Sequence, residues 1–104
     1  MIARMWRGWV RPDAAPEYTE YIERTGLADY RRTPGNLGAW MLQRRDGDRM
    51  EIVTLSFWES YDAVTGFAGA DISRAKFYPE DDQYLVDREL TVTHYEIVSG
   101  DHDV

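Results

Sequence analysis

Two strand-like runs, residues 37–45 and 50–58, are joined through Asp46-Gly47-Asp48, and neither alternates cleanly between apolar and polar side chains. The Asp-Gly pair between them is a hairpin signal, so the runs are expected to be antiparallel neighbours. Successive side chains of a strand point to opposite faces, which puts Val53, Leu55 and Phe57 on one side and Ile52 and Trp58 on the other. Residues 2–10 form a third such run, in which Trp6 and Trp9 fall on opposite sides. A sheet covered on one face only should be polar on the other. This one is apolar on both and needs two covers.

Helices supply the first cover. From Ala14 the spacing turns helical, with Ala14, Tyr18, Tyr21, Ile22 and Thr25 on one stripe and Glu17, Glu20, Glu23 and Arg24 largely opposite. Gly26 weakens this helix, and Thr33-Pro34-Gly35-Asn36 ends it. Ser60 is placed to cap a second helix over residues 61–68, with Val64, Phe67 and Ala68 on one face and Gly69 as its stop. Residues 71–89 read as less regular, with two short helical turns around Tyr78-Pro79, and residues 90–98 as a last strand. The order is βαββαβ: an α+β, ferredoxin-like chain with a four-stranded antiparallel sheet and both helices on one face. A single domain is expected over residues 1–98, followed by a polar tail at 99–104. The second sheet face is then expected to meet another copy of the chain in a homodimer.

Twelve basic against 19 acidic side chains give a net charge of −7, which repels phosphate backbones and anionic lipid surfaces. Neither nucleic acid nor a membrane is an expected partner. The chain has no cysteine, so disulfides and thiolate metal sites are unavailable. The first residues carry arginines where a signal peptide needs an apolar run, and a cytoplasmic location is expected. The glycines form no phosphate-binding pattern, no serine-histidine-aspartate set is legible, and no cradle for flavin or nicotinamide is visible. No cofactor is expected. Glu80-Asp81-Asp82 follows Pro79 and reads as the acidic opening of a helical turn rather than a metal cluster.

With this order of elements, the segment Phe57-Trp58-Glu59-Ser60-Tyr61-Asp62-Ala63, a tryptophan at a strand end followed by a capped helix, resembles the antibiotic biosynthesis monooxygenase (ABM) family. The likeness covers residues 2–98. It implies a dimeric α/β barrel in which two sheets face each other, with a pocket between each sheet and its own helices. It also implies a cofactor-independent oxygenase, or a related pocket enzyme, acting on a small aromatic or polyketide-like molecule. Two departures narrow this. The haem-degrading branch has an asparagine on strand one and a histidine near the second helix, whereas the only asparagine here is Asn36 and the histidines are His94 and His102. Haem degradation is not expected. The quinone-forming branch has an asparagine four residues before the tryptophan, where this chain has Thr54.

The resemblance makes Trp58 a pocket wall that stacks on an aromatic substrate; the alternative is core packing. His94, two residues from Glu96 and on the same strand face, is a candidate base for enolising a phenol or cyclising a polyketide, or else a structural histidine. Arg4 and Arg7 are candidate anchors for an anionic substrate oxygen, or members of ion pairs with Glu51, Glu96 or a partner subunit. Tyr18, Tyr21, Tyr78 and Tyr84 are candidates for the pocket mouth, the first two also for the core. A non-catalytic dimer that binds a small ligand, and an isomerase or cyclase on the same scaffold, are the alternative functions.

Overall fold

The computed structural model describes residues 1–100. The chain runs through β1 (Ile2–Val10), a single 3-10 turn (Pro12–Ala14), α1 (Ala15–Arg24), α2 (Gly26–Arg32), β2 (Asn36–Asp46) and β3 (Arg49–Trp58). It continues through α3 (Tyr61–Ala68), α4 (Asp81–Tyr84), β4 (Leu85–Arg88) and β5 (Thr93–Glu96). The sheet is antiparallel and five-stranded in the order β2-β3-β1, with β4 and β5 sharing the other edge of β1. This is the ferredoxin-like α+β arrangement expected from the sequence, with one strand more. No helix among the described residues is long and apolar enough to cross a membrane.

Three local readings hold and two need correction. The hairpin turns at Gly47, whose φ of 63° suits the glycine-first position of a tight two-residue loop. The Ser60 hydroxyl accepts a hydrogen bond from the Ala63 amide at 3.2 Å and so caps α3, and Gly69 ends that helix at a φ of 81°. The helical stripe that begins at Ala14, however, forms two helices. Thr25 breaks it at φ −112°, ψ −86°, where its hydroxyl donates back to the Tyr21 carbonyl.

The final strand, expected as one run over residues 90–98, is two short strands flanking a gap. In the gap the chain leaves β1 and pairs with the preceding segment: Val92 N–H donates to Ser73 O at 2.7 Å, and Ala75 N–H to Leu90 O at 3.1 Å. The polar tail expected at 99–104 lies mostly outside the described residues, which end at Gly100.

Register fixes the two faces. Ile2, Arg4, Trp6, Val10, Ile52, Ser56 and Trp58 point inward, all buried against Tyr18, Ile22, Leu27, Tyr30 and Val64 of the helices. Gly8 belongs to this row because a Cβ there would stand 2.4 Å from the Trp6 ring and 2.8 Å from Leu85. The indole can lie across the strand only over a glycine. Met5, Val53, Leu55, Phe57, Trp40 and Leu42 form the opposite face, where Trp40 and Leu42 are 50% and 46% exposed. Trp40 meets Phe57 edge-on at 5.5 Å, so this face is organised although none of the helices covers it.

Candidate functional site

A cavity lies between the inner sheet face and the helices. Its floor is Arg4, Trp6 and Thr54, its walls are Tyr18, Ile22, Leu27, Tyr30 and Phe67, and the segment Ala75-Lys76-Phe77-Tyr78 covers it. About 40 Å³ of free space remains, room for a few waters, so an aromatic ligand must displace the cover. A wider depression of about 330 Å³ near Pro16, Thr19 and Gln43 has no ionisable side chain in its lining. The chemistry is concentrated in the first cavity.

Arg4 is 2% exposed and forms no ion pair with an aspartate or glutamate among the described residues. It is held by neutral groups. Nη1 donates to the Ile72 carbonyl at 2.8 Å and bonds His94 Nε2 at 2.9 Å, while Nε reaches the Tyr30 hydroxyl at 3.4 Å. Nη2 has no hydrogen bond among the described residues, yet no fully buried side-chain nitrogen or oxygen there lacks a partner. Arg4 lines the cavity, so Nη2 is the guanidinium nitrogen that a ligand there can engage.

His94 sits directly across from Arg4 in the β1–β5 pairing. Its partner is thus the guanidinium, not Glu96. Because Arg4 can only donate, His94 Nε2 must be the unprotonated nitrogen, and its lone pair is aimed at Arg4 rather than into the cavity. Partial burial, and secondarily the charge of Arg4, lowers the imidazole pKa below 6.5.

The remaining candidates separate. Tyr18 and Tyr78 line the cavity, and both hydroxyls donate to carboxylates: Tyr18 to Asp81 at 3.1 Å, Tyr78 to Asp29. Burial, reinforced by those acceptors, holds both phenols well above their ordinary pKa, so they remain protonated donors. Asp81 is buried and also accepts from the Tyr78 amide at 2.6 Å. Burial raises its carboxyl pKa, and its bonds pin the cover to α1 rather than forming a metal cluster with its neighbours. Tyr84 stacks between Tyr18 and Tyr21, at 5.4 and 5.8 Å, outside the cavity lining.

Arg7 lies on the opposite sheet face, where its amide and Nη2 bind the Glu89 carboxylate at 3.1 and 2.9 Å, and so it does not reach the cavity. Trp58 is fully buried, its N–H donates to Ser56 Oγ at 2.9 Å, and its ring backs Tyr30 and Phe67 without lining the cavity. Trp6, Tyr30, Phe67, Lys76 and Phe77 were not singled out by the sequence. Trp6 was legible from alternation with Arg4; Lys76 and Phe77 lie in a segment with no periodicity to read.

No protein-family model and no curated protein matches the chain. Solved structures do, and they define the class of fold: that of the antibiotic biosynthesis monooxygenases. One from Bacillus cereus, provisionally named as such, is 14% identical with a TM-score of 0.70 and covers 96% of this chain and 95% of its own. Another from Nitrosomonas europaea is 17% identical with a TM-score of 0.65, covering 95% and 100%. The haem degrader MhuD from Mycobacterium tuberculosis, solved with two haems in its active site, is 19% identical with a TM-score of 0.63, covering 96% and 98%. At these identities the likeness establishes the fold. A haem here would have to displace the cover, since only about 40 Å³ is free, and break the Arg4 bond to Nε2 of His94, the one described histidine.

The lowered imidazole pKa has a measurable consequence. Below pH 6.5 the unfolded chain takes up a proton that folded His94 refuses, so stability falls as pH drops below 6.5. His94→Gln, which keeps an acceptor for Arg4, should flatten that fall in urea unfolding followed from about pH 8 to pH 5. Asp81 contributes a slope of the opposite sign in both proteins, so the difference between them isolates His94. Equal slopes would show that His94 titrates alike folded and unfolded.

Proposed function

We propose that the chain is a homodimeric pocket enzyme that oxidises a small aromatic or polyketide-like phenol with dioxygen, without metal or organic cofactor. The observation that carries the reading is the cavity itself. Aromatic walls enclose it on a fold shared with proteins named as monooxygenases, and stacking on Trp6, Tyr30 and Phe67 would hold a planar ring out of water. Loss of a proton gives an electron-rich ring carbon that reacts with dioxygen; one oxygen atom ends in a new carbonyl and the other leaves as water. In this reading His94 becomes the base once ligand binding draws Arg4 Nη1 away from its lone pair. Trp58 acts only by positioning Tyr30 and Phe67.

The outer sheet face supports the dimer. Trp40, Leu42, Leu55 and Phe57 form a continuous apolar surface of the kind a soluble chain seldom leaves bare. Sedimentation equilibrium should therefore give twice the 12.1 kDa chain mass, and Leu42→Glu should shift the species toward that of one chain. A wild-type monomer at micromolar concentration would contradict the pairing.

The Arg4–His94 bond favours a second reading, a non-catalytic binder, because the base is already engaged. Oxygen uptake with a panel of polycyclic phenols separates the two. The enzyme consumes oxygen, and His94→Ala lowers kcat by about 10²–10⁴ with ligand affinity nearly intact. A binder quenches its tryptophan fluorescence with the same phenols and consumes none, and an isomerase or cyclase forms product without oxygen. Full activity in folded His94→Ala would remove His94 from the mechanism.

A further inference from the structure

Two cations line the cavity, Arg4 buried and Lys76 exposed. Arg4 is sealed among neutral partners, and Lys76 Nζ makes no ion pair among the described residues but lies 4.7 Å from the centre of the Phe67 ring. The Arg4 guanidinium carbon approaches that same ring at 5.6 Å. One aromatic ring on the cavity wall is thus flanked by two cations. The one acidic side chain in the lining, Asp81, is committed to the Tyr18 hydroxyl and the Tyr78 amide.

A buried cation is normally paired, and an anion entering the cavity would meet Arg4 on the floor and Lys76 on the cover. Arg4 lines that space, and its Nη2 has no hydrogen bond among the described residues. Lys76 is exposed on the cover, with its tip over the Phe67 and Tyr78 rings.

We propose that the ligand of this cavity is an aromatic molecule bearing an anionic oxygen, a carboxylate or an ionised phenol, received by Arg4 Nη2 and Lys76 Nζ together. This rests on the cavity being the ligand site and names the class of compound it takes. Arg4 has only Nη2 to offer, since Nε and Nη1 are engaged, so it grips the anion from one nitrogen and Lys76 closes from the cover. Binding then draws the cover down through Lys76, and the Arg4–His94 bond weakens as the guanidinium turns toward the anion.

Benzoate, its neutral counterpart benzamide, and 4-nitrophenol test this with wild-type protein by calorimetry and by NMR of the tryptophan indoles. Benzoate should bind about 10- to 100-fold more tightly than benzamide, the discrimination expected when a charge-assisted bond is lost in a buried site. The Trp6 indole signal should move while that of Trp40, on the opposite face, stays. Bound 4-nitrophenol should ionise at lower pH than the free compound if phenolates are also accepted; preference for benzoate alone assigns the site to carboxylates.

Lys76→Gln, on the exposed cover, should reduce the preference for benzoate severalfold without loss of fold, and Arg4→Gln should abolish it. If benzamide binds as well as benzoate and 4-nitrophenol ionises unchanged, the anion is wrong and the aromatic pocket stands. An unaltered preference in Lys76→Gln would overturn the shared grip. If no probe moves Trp6, the pocket reading falls and this inference falls with it.

Discussion

A buried guanidinium with no carboxylate partner among the described residues has to be supported by everything around it. Removing such a charge from water costs several kcal/mol, and each hydrogen bond to it returns about 1.5–3 kcal/mol. Arg4 collects three such partners from three places: Tyr30 on α2, Ile72 on the segment after α3, and His94 on β5. None can move without stranding the charge. The inner face of β1 is thereby tied at one point to a helix, to a neighbouring strand and to the segment that leads into the cavity cover, and Arg4 lines the cavity beside them.

The cover itself has little regular structure between α3 and α4. Polar and cation–aromatic contacts hold it: Tyr78 to Asp29, Asp81 to Tyr18, Lys76 over Phe67 and Phe77 edge-on to Trp6. Segments held this way lie at the low end of local stability, which is where ligand gates belong. The β1–β3 ladder and the apolar cluster beneath α1 are built differently, from continuous backbone pairing and buried side chains. A rigid floor and a releasable lid follow from the two kinds of contact.

Much of the floor was legible in the sequence. Alternation put Trp6 and Trp9, and likewise Ile52 and Val53, on opposite faces; Asp46-Gly47 marked the hairpin and Ser60 the cap, because these signals depend on neighbours along the chain. What was misread depends on register between distant strands. Glu96 looked like the partner of His94 by spacing, but the β1–β5 pairing sets Arg4 opposite it. Arg4 and Arg7 were equivalent candidates until the strand faces were assigned, and an odd spacing sends Arg7 to Glu89 on the far side. Of the two readings of Trp58, pocket wall or core, its full burial behind Tyr30 and Phe67 matches the core. The broken last strand was hidden because the pull of Ser73 and Ala75 on residues 90 and 92 is non-local.

The central claim, that Arg4 ties the cover to the floor, is tested by hydrogen exchange on Arg4→Met, which keeps much of the side-chain bulk and removes the donors. The account predicts that the amides of Ala75 and Val92, which close the cover onto the strand gap, lose protection far more than that of Leu55 at the centre of β3. Protection unchanged at Ala75 and Val92, or lost to the same extent across the β1–β3 ladder, would contradict it.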